Sequence, residues 1–236
     1  MNPGTPAADV RVRRFELRRD LDAALAERLR GAATRGAPGA VMLAGGTTPQ
    51  PAFALLAAHP LRAAPGLHVL YSDERYVPST SDASNYHLSL PLLAALGLPA
   101  RQVLRVQTEL PLEAAAQAYE ERLQSLLSEQ LPVRLGILGL GADGHTASLF
   151  KPADLAAARG RLAVAVQRPD GRAAVSVTPE WLAQIAEILF VVAGADKRSA
   201  LARLAARDPT LIAWQAVERC ARVEVWADGA AWEARD

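Results

Sequence analysis

The sequence is poor in cysteine and lysine, and it has no long apolar segment. Cys220 is the only cysteine among 236 residues, which excludes an internal disulfide and a zinc site built from several cysteines. It has no neighbouring base, so we interpret it as a small buried side chain. No apolar run approaches the roughly 18 residues that a membrane span needs, and the first residues contain no apolar signal core. These absences predict a cytoplasmic protein without a membrane partner.

Charge of one sign is not in excess either. The 26 Lys and Arg residues nearly balance the 25 Asp and Glu residues, which gives a formal net charge of +1. The arginines are scattered, and no basic stripe of the kind that follows a nucleic-acid backbone is present. We therefore expect no nucleic-acid partner. Half of the residues are hydrophobic, and a chain of this length can bury a sizeable core.

Short apolar runs alternate with helical patterns along the chain. Residues 40–44 form an apolar run that breaks into glycines before a helix containing Phe53, and strand, glycine turn and helix are the unit of a parallel α/β sheet. Further strands are predicted at 67–71, 133–140, 187–194 and 223–229, and helices at 20–30, 112–130 and 195–206. Residues 161–166 and 173–179 flank the turn Pro169-Asp170-Gly171, which predicts a small antiparallel pair.

The composition along the chain also predicts the domain organisation. Residues 1–9 are rich in Pro, Gly and Ala, and we predict a disordered N-terminal tail there. No internal repeat and no long linker interrupts the rest of the chain. We therefore predict a single α/β domain over residues 10–236.

The segment Gly45-Gly46-Thr47-Thr48-Pro49 has the chemistry of an anion site. Its glycines let a ligand approach the backbone. Thr47 or Thr48 can cap the following helix, and Pro49 suits the first turn of that helix. Free N–H groups and the helix dipole favour an anion there. A helix start that binds nothing explains this segment equally well, and the Gly-Lys-Ser/Thr ending of a nucleoside-triphosphate loop is absent.

Charged residues follow the strand at 67–71. Asp73, Glu74 and Arg75 stand where the carboxyl end of a parallel strand would bind a ligand. The guanidinium of Arg75 matches phosphate oxygens, and Asp73 could orient a sugar hydroxyl or a histidine. Taken alone, such a segment is more often a surface cluster of ion pairs.

The segment ILGLGADGHTASLF, at residues 137–150, combines glycines in the spacing G-x-G-x-x-G with Asp143 and His145. A dinucleotide site would need an acidic residue about 20 positions later, at the end of the next strand. That strand ends instead in Gln167-Arg168-Pro169, so we expect no nucleotide cofactor.

The alternative is a catalytic turn between a strand and an amphipathic helix that continues after Thr146. A neutral His145 at this edge of the sheet is a good proton acceptor. The other histidines, His59, His68 and His87, show no metal-ligand spacing relative to His145, so we predict no metal site.

Three segments together carry a family resemblance. LAGGTTP, YSDERYVPSTSDASNYH and LGLGADGHTASLF occur in an order and at a spacing that resemble the 6-phosphogluconolactonases, which belong to the glucosamine/galactosamine-6-phosphate isomerase superfamily. RPDGRAAVSVTP, FVVAGADKRSAL and VEVWADGAA extend the resemblance over nearly the whole chain. It implies a Rossmann-like three-layer α/β/α fold with a mostly parallel sheet, as in glucosamine-6-phosphate deaminases and ribose-5-phosphate isomerases.

The resemblance also implies which residues form the site. His145 matches the proposed general base of the family, with Asp143 or Asp73 holding its ring and backbone N–H groups near Gly144 receiving the oxyanion. The implied substrate-binding residues are Gly45, Gly46, Thr47, Arg75, Arg168 and Arg172. Arg168 stands where family members often have lysine, and Lys151 separates a phenylalanine and a proline that are often adjacent.

The implied activity is hydrolysis of 6-phospho-D-glucono-1,5-lactone to 6-phosphogluconate in the oxidative branch of the pentose phosphate pathway. A small phosphosugar lactone is then the partner, and no cofactor is required. Two alternatives stay open, a deaminase/isomerase acting on glucosamine 6-phosphate and a sugar-phosphate sensor without turnover. The deaminase pattern has a carboxylate shortly after its histidine, and residues 146–150 contain none. A sensor would have no need of His145.

Overall fold

The computed structural model describes residues 9–232, and this part of the chain contains two β-sheets and nine α-helices. The strands are β1 Asp9–Phe15, β2 Gly39–Leu43, β3 Leu67–Tyr71, β4 Asp73–Arg75, β5 Val103–Leu104, β6 Val133–Gly139, β7 Ala163–Gln167, β8 Ala173–Val177, β9 Ile188–Val192 and β10 Arg222–Asp228. The helices are α1 Arg18–Thr34, α2 Gln50–Ala57, α3 Asn85–Ala95, α4 Leu112–Ser128, α5 Pro152–Ala157, α6 Pro179–Leu182, α7 Arg198–Ala205, α8 Ile212–Val217 and α9 Gly229–Trp232.

Seven strands form one parallel sheet in the order β1-β10-β9-β6-β2-β3-β5. The strands β4, β8 and β7 form a separate antiparallel sheet. The predicted pair around Pro169-Asp170-Gly171 is therefore present as β7 and β8. The fold class is confirmed, a mostly parallel α/β sheet with a small antiparallel element.

The central strands are buried on both faces. In β2, Ala40 and Met42 belong to one core cluster and Val41 and Leu43 to the other. Helices α1, α2 and α3 pack in the cluster of Val41, while α4, α7, α8 and the antiparallel sheet pack in the cluster of Met42. Because both faces of the parallel sheet are covered, its strands are continuous apolar runs rather than alternating ones. This arrangement gives three layers.

The order of the strands defines where a ligand can bind. From β2 the chain continues to β3 on one side, whereas β6 is followed in the parallel sheet by β9 on the other side. In open α/β sheets, ligands bind beyond the carboxyl ends of the strands at such a switch point. The loops after β2 and β6 therefore face each other across a crevice.

The prediction of a helix directly after Asp143-Gly144-His145-Thr146 is wrong. Thr146 and Leu149 form an isolated β-bridge, and α5 begins only at Pro152. Ala147 has a φ of 50°, in the left-handed region that a right-handed helix cannot contain. The backbone therefore turns back on itself after His145 instead of leaving the site as a helix.

The start of α2 also differs from expectation. Its N-cap is Pro49, which makes no side-chain cap, so neither Thr47 nor Thr48 caps the helix. The strand β1 starts at Asp9, and the rest of the predicted tail at residues 1–9 lies outside the described residues. A single domain over residues 10–236 stays a prediction.

Within residues 9–232, no helix has the length and apolar character to cross a membrane. The cytoplasmic location stays a prediction.

Candidate active site

A polar cavity of about 190 Å³ lies at the carboxyl ends of the parallel strands. It is lined by residues from β4, from the end of β6 and from the segments that follow β2, β3, β6, β7 and β9: Ala44, Gly45, Gly46, Thr47, Thr48, Ser72, Asp73, Arg75, Gly139, Leu140, Gly141, His145, Ala147, Arg168 and Lys197. Seven of the nine predicted site residues are in this set. The other two are Asp143, which contacts His145, and Arg172, which does not line the cavity.

Asp143 holds the ring of His145. Its Oδ1 atom lies 2.5 Å from Nδ1 of the imidazole and also accepts the backbone N–H of His145 at 3.2 Å. Partial burial raises the pKa of Asp143, but the hydrogen bonds and charge of His145 outweigh burial and leave that pKa below its ordinary value. An ionised carboxylate only accepts hydrogen bonds, so Nδ1 carries a proton, and in the neutral ring Nε2 then keeps its lone pair. The ring is 28% exposed and is therefore accessible to a ligand.

The glycines that resemble a dinucleotide motif make room for this pair. A Cβ at Gly141 would lie 2.0 Å from Nδ1 of His145 and 2.4 Å from Oδ1 of Asp143. Gly144 has a φ of 88°, which favours glycine. Its N–H donates to the carbonyl of Gly141 at 3.0 Å, so this N–H is not free for the oxyanion role predicted near Gly144. The spacing serves the tight turn that holds Asp143 against His145.

Asp73 and Arg75 reach the cavity from β4. Both carboxylate oxygens of Asp73 are engaged, Oδ1 by the hydroxyl of Ser72 at 2.8 Å and Oδ2 by the hydroxyl of Ser148 at 2.7 Å. Nη1 of Arg75 donates to the carbonyl of Ala83 at 2.9 Å, while its Nε has no hydrogen-bond partner in the described part of the chain. Of the two candidate aspartates, Asp143 is thus the one whose carboxylate contacts the ring of His145.

Glu74 belongs to the scaffold. Its buried carboxylate accepts the backbone N–H groups of Asn85 and Tyr86 at 2.7 and 2.8 Å and the hydroxyl of Ser84 at 3.0 Å. Burial raises the pKa of Glu74, although these hydrogen bonds lower it in part. The carboxylate fixes the first turn of α3 beneath the cavity.

Asn85 joins two walls of the cavity, and it is not among the site residues that the sequence predicts. Its Nδ2 donates to the carbonyl of Asp73 at 2.8 Å, and its Oδ1 accepts the N–H of Gly46 at 3.3 Å. A Cβ at Gly45 would lie 2.0 Å from that Nδ2, so the glycine leaves space for the amide. The sequence feature that could have located Asn85 is Ser84, a helix-capping residue. Its hydroxyl caps α3 by accepting the N–H of His87.

Two cations face the cavity from other loops. The side chain of Arg168 is only 16% exposed, and its Nη1 donates to the hydroxyl of Ser148 at 3.2 Å. Lys197 follows β9, and its Nζ lies 3.0 Å from the exposed carboxylate of Asp196. Lys197 is not among the site residues that the sequence predicts, although a rare lysine shortly after a buried strand is a usable signal. Arg172 is exposed and pairs with Asp170 at 2.8 Å.

The electrostatics of the cavity favour an anion beside a proton acceptor. Three cationic side chains line it, those of Arg75, Arg168 and Lys197, against the one lining carboxylate of Asp73, which is itself buried. Phe150 packs against both His145 and one cation, because its ring centroid lies 4.4 Å from the imidazole and 5.3 Å from the guanidinium carbon of Arg168. Among residues 9–232, no group of three or more His, Cys, Asp or Glu side chains could hold a metal ion.

Comparisons with known proteins agree with this geometry. The family model described as glucosamine-6-phosphate isomerases/6-phosphogluconolactonase matches residues 13–226. The 6-phosphogluconolactonase of Pseudomonas putida is 37% identical over 196 residues, which cover 79% of this chain and 78% of that protein. The enzyme of the same name from a Nostoc species is 34% identical over 171 residues, 70% of each chain.

A solved structure extends the match to most of the fold. The crystal structure of 6-phosphogluconolactonase from Thermotoga maritima has a TM-score of 0.78 and 27% sequence identity, and the alignment covers 93% of this chain and 99% of that one. The chain therefore belongs to the family of glucosamine-6-phosphate isomerases and 6-phosphogluconolactonases, and the two relatives and the solved structure named above are 6-phosphogluconolactonases.

Proposed function

We propose that the protein hydrolyses 6-phospho-D-glucono-1,5-lactone to 6-phospho-D-gluconate, with His145 as the general base. The observation that carries the proposal is the Asp143–His145 pair, which opens into a cavity lined by three cations. A proton acceptor and a positively charged pocket are the two features that hydrolysis of a phosphorylated lactone requires. The activity in the names of the relatives supports the same substrate class.

His145 takes a proton from water through Nε2 while the water oxygen bonds to C1 of the lactone. The carbonyl π electrons move to oxygen, and their return breaks the bond between C1 and the ring oxygen. The imidazolium gives its proton to that leaving oxygen, and ionised Asp143 stabilises the imidazolium meanwhile. Base catalysis of this kind accelerates a reaction about 10²–10⁴-fold. A lactone is already reactive toward water, so no covalent nucleophile is needed.

The phosphate lies at the cationic side of the cavity. Arg168 and Lys197 reach it from the loops after β7 and β9, and Arg75 adds charge from β4. The loop of Gly45, Gly46 and Thr47 is part of the same lining and precedes the N-terminus of α2, which favours an anion. Guanidinium groups match phosphate oxygens in pairs. Substrate binding therefore depends on positive charge on both sides of the crevice.

The test is His145→Ala, followed as acid release from the lactone above the spontaneous rate. We expect most of the turnover to be lost while inorganic phosphate still binds, because the cations are untouched. His59→Ala is the matched control, since His59 is exposed and outside the cavity. A kcat near that of the wild type in His145→Ala would remove His145 from the role of base.

The same assay separates the two alternatives. Ammonia release from glucosamine 6-phosphate would identify a deaminase. Tight binding of sugar phosphates with no acid release above the spontaneous rate would identify a sensor. Lactone turnover by the wild type without ammonia release is the result that we expect.

A further inference from the structure

We infer that Asp73 and Ser148 are positioning residues for Arg168. Asp73 then orients an arginine that binds the phosphate, and it does not orient His145. The inference rests on the proposed function, because it gives Arg168 the phosphate as its ligand. Two consecutive hydrogen bonds through Ser148 link the buried carboxylate of Asp73 to Arg168 in the cavity. Nothing in the local sequence around Asp73 indicates this link, since Ser148 lies 75 positions away.

The geometry fixes the direction of both hydrogen bonds. The hydroxyl of Ser148 donates to Oδ2 of Asp73 at 2.7 Å, and Nη1 of Arg168 donates to the same hydroxyl oxygen at 3.2 Å. A serine has one hydrogen to donate and two lone pairs, so giving its hydrogen to the carboxylate leaves the lone pairs for the guanidinium. Both bonds involve a charged group, and such bonds are shorter and stronger than neutral ones. The hydroxyl therefore links the carboxylate of Asp73 to the guanidinium of Arg168 through two hydrogen bonds.

The other possible partners of Asp73 and Arg168 are weaker or already engaged. Oδ1 of Asp73 accepts the hydroxyl of Ser72, and Asp73 as a residue is only 5% exposed. Nδ1 of His145 is bonded to Asp143. The second carboxylate near Arg168 is that of Asp170, whose Oδ2 is 3.4 Å from Nε of Arg168 but 2.8 Å from Nη2 of Arg172. At this distance, an ion pair with an exposed carboxylate contributes little.

The loop after His145 is built to bury Ser148. The left-handed turn at Ala147 directs the next residue inward, where the side chain of Ser148 is fully buried and its N–H donates to the hydroxyl of Ser176 at 3.1 Å. The hydroxyl is thus held on the loop that also carries His145. An arginine fixed in this way loses less side-chain freedom when phosphate binds, which favours affinity.

The test measures binding of inorganic phosphate by calorimetry in the wild type, Ser148→Ala, Arg168→Ala and the double variant. We expect Ser148→Ala to raise the phosphate Kd about tenfold, the size of one charge-assisted hydrogen bond. In the Arg168→Ala background the same change should add no further loss, because the serine acts through the arginine. In turnover, KM for the lactone should rise while kcat changes little. Ser89→Ala is the control, since Ser89 is buried and its hydroxyl contacts Tyr71 and Tyr86, not the cavity.

An unchanged phosphate Kd in Ser148→Ala overturns the inference, and so does a loss in the double variant equal to the product of the single losses. If Ser148→Ala does not fold, Ser148→Cys is measured in the same way, because a thiol keeps the volume but is a weak donor. A wild type that binds phosphate without hydrolysing the lactone overturns the proposed function alone. A wild type that does not bind phosphate overturns the inference.

Discussion

Oδ1 of Asp143 lies 2.5 Å from Nδ1 of His145 and also accepts the backbone N–H of the same histidine. One carboxylate oxygen therefore fixes both the ring and the backbone of a residue two positions later in the chain. With its proton on Nδ1, the imidazole presents a free lone pair on Nε2 to the cavity. In the proposed mechanism, Asp143 selects this tautomer.

We predict that Asp143→Asn lowers kcat about 10²-fold or more with little change in KM. The asparagine amide can donate to Nδ1, which stabilises the opposite tautomer and leaves Nε2 protonated. Initial rates of acid release measure the effect. Asp82→Asn, an exposed aspartate outside the cavity, should keep the wild-type kcat. Equal kcat values for Asp143→Asn and the wild type would show that the ring needs no carboxylate.

The lowered pKa of Asp143 also predicts how the stability of the folded protein depends on pH. A carboxyl group with a folded-state pKa below its unfolded value stabilises the folded protein above the unfolded pKa, and the contribution is lost as pH falls through the folded pKa. The difference in unfolding free energy between the wild type and Asp143→Asn should therefore shrink toward acid pH. Urea unfolding at a series of pH values measures it. A difference that grows toward acid pH contradicts the assignment.

The cations of the site should not be equivalent. Lys197 lines the cavity, whereas Arg172 is exposed and pairs with Asp170. We predict that Lys197→Ala raises KM for the phosphorylated lactone about tenfold or more, because a charge-assisted contact to phosphate is lost. Arg172→Ala should leave KM close to that of the wild type. A larger rise in KM for Arg172→Ala than for Lys197→Ala would reverse this assignment.

Gly141 should be intolerant of a single methyl group. A Cβ there would lie 2.0 Å from Nδ1 of His145, so Gly141→Ala must displace the ring or the loop. We predict a fall in kcat of about 10²-fold, as expected for a misplaced base, while phosphate binding survives. Gly31→Ala is the control, since a Cβ at Gly31 meets nothing within 4 Å. A Gly141→Ala enzyme with normal kcat would mean that the His145 ring can occupy another position.

Many of the elements that sequence patterns predicted have continuous apolar runs. The strands β2, β3, β6 and β9 are of this kind, because the parallel sheet is buried on both faces. The helix α4 was predicted from a different pattern, apolar residues at helical spacing that are buried on one face. The strand β1 alternates valine with arginine and pairs only with β10 at the edge of the sheet, so its pattern does not stand out as a buried strand. The strand β5 has two residues, too few for any periodicity.

The site was predictable where its chemistry is local in the chain. Asp143 and His145 are two positions apart, and the turn between them is visible in the glycine spacing. Lys197 reaches the cavity only because β9 lies next to β6, which is a property of strand order. Likewise the spacing of Arg168 and Arg172 does not reveal that the hairpin turn directs the second one to the exposed Asp170.

Glu74 offers a test of the scaffold beneath the site. Each of its carboxylate oxygens accepts two hydrogen bonds, Oε1 from the N–H groups of Arg75 and Asn85 and Oε2 from the N–H of Tyr86 and the hydroxyl of Ser84. A glutamine has one accepting oxygen, so its amide nitrogen would face donors in a buried place. We predict that Glu74→Gln lowers the free energy of unfolding by about 1–3 kcal/mol.

Urea unfolding near neutral pH measures this loss, with the m-value expected to stay unchanged. Glu16→Gln is the matched control, because Glu16 is exposed in the turn before α1 and should change stability by less than about 0.5 kcal/mol. The loss should come with a fall in turnover, since Asn85 at the start of α3 holds the N–H of Gly46 and the carbonyl of Asp73. A Glu74→Gln protein as stable as the control would show that the first turn of α3 does not depend on this carboxylate.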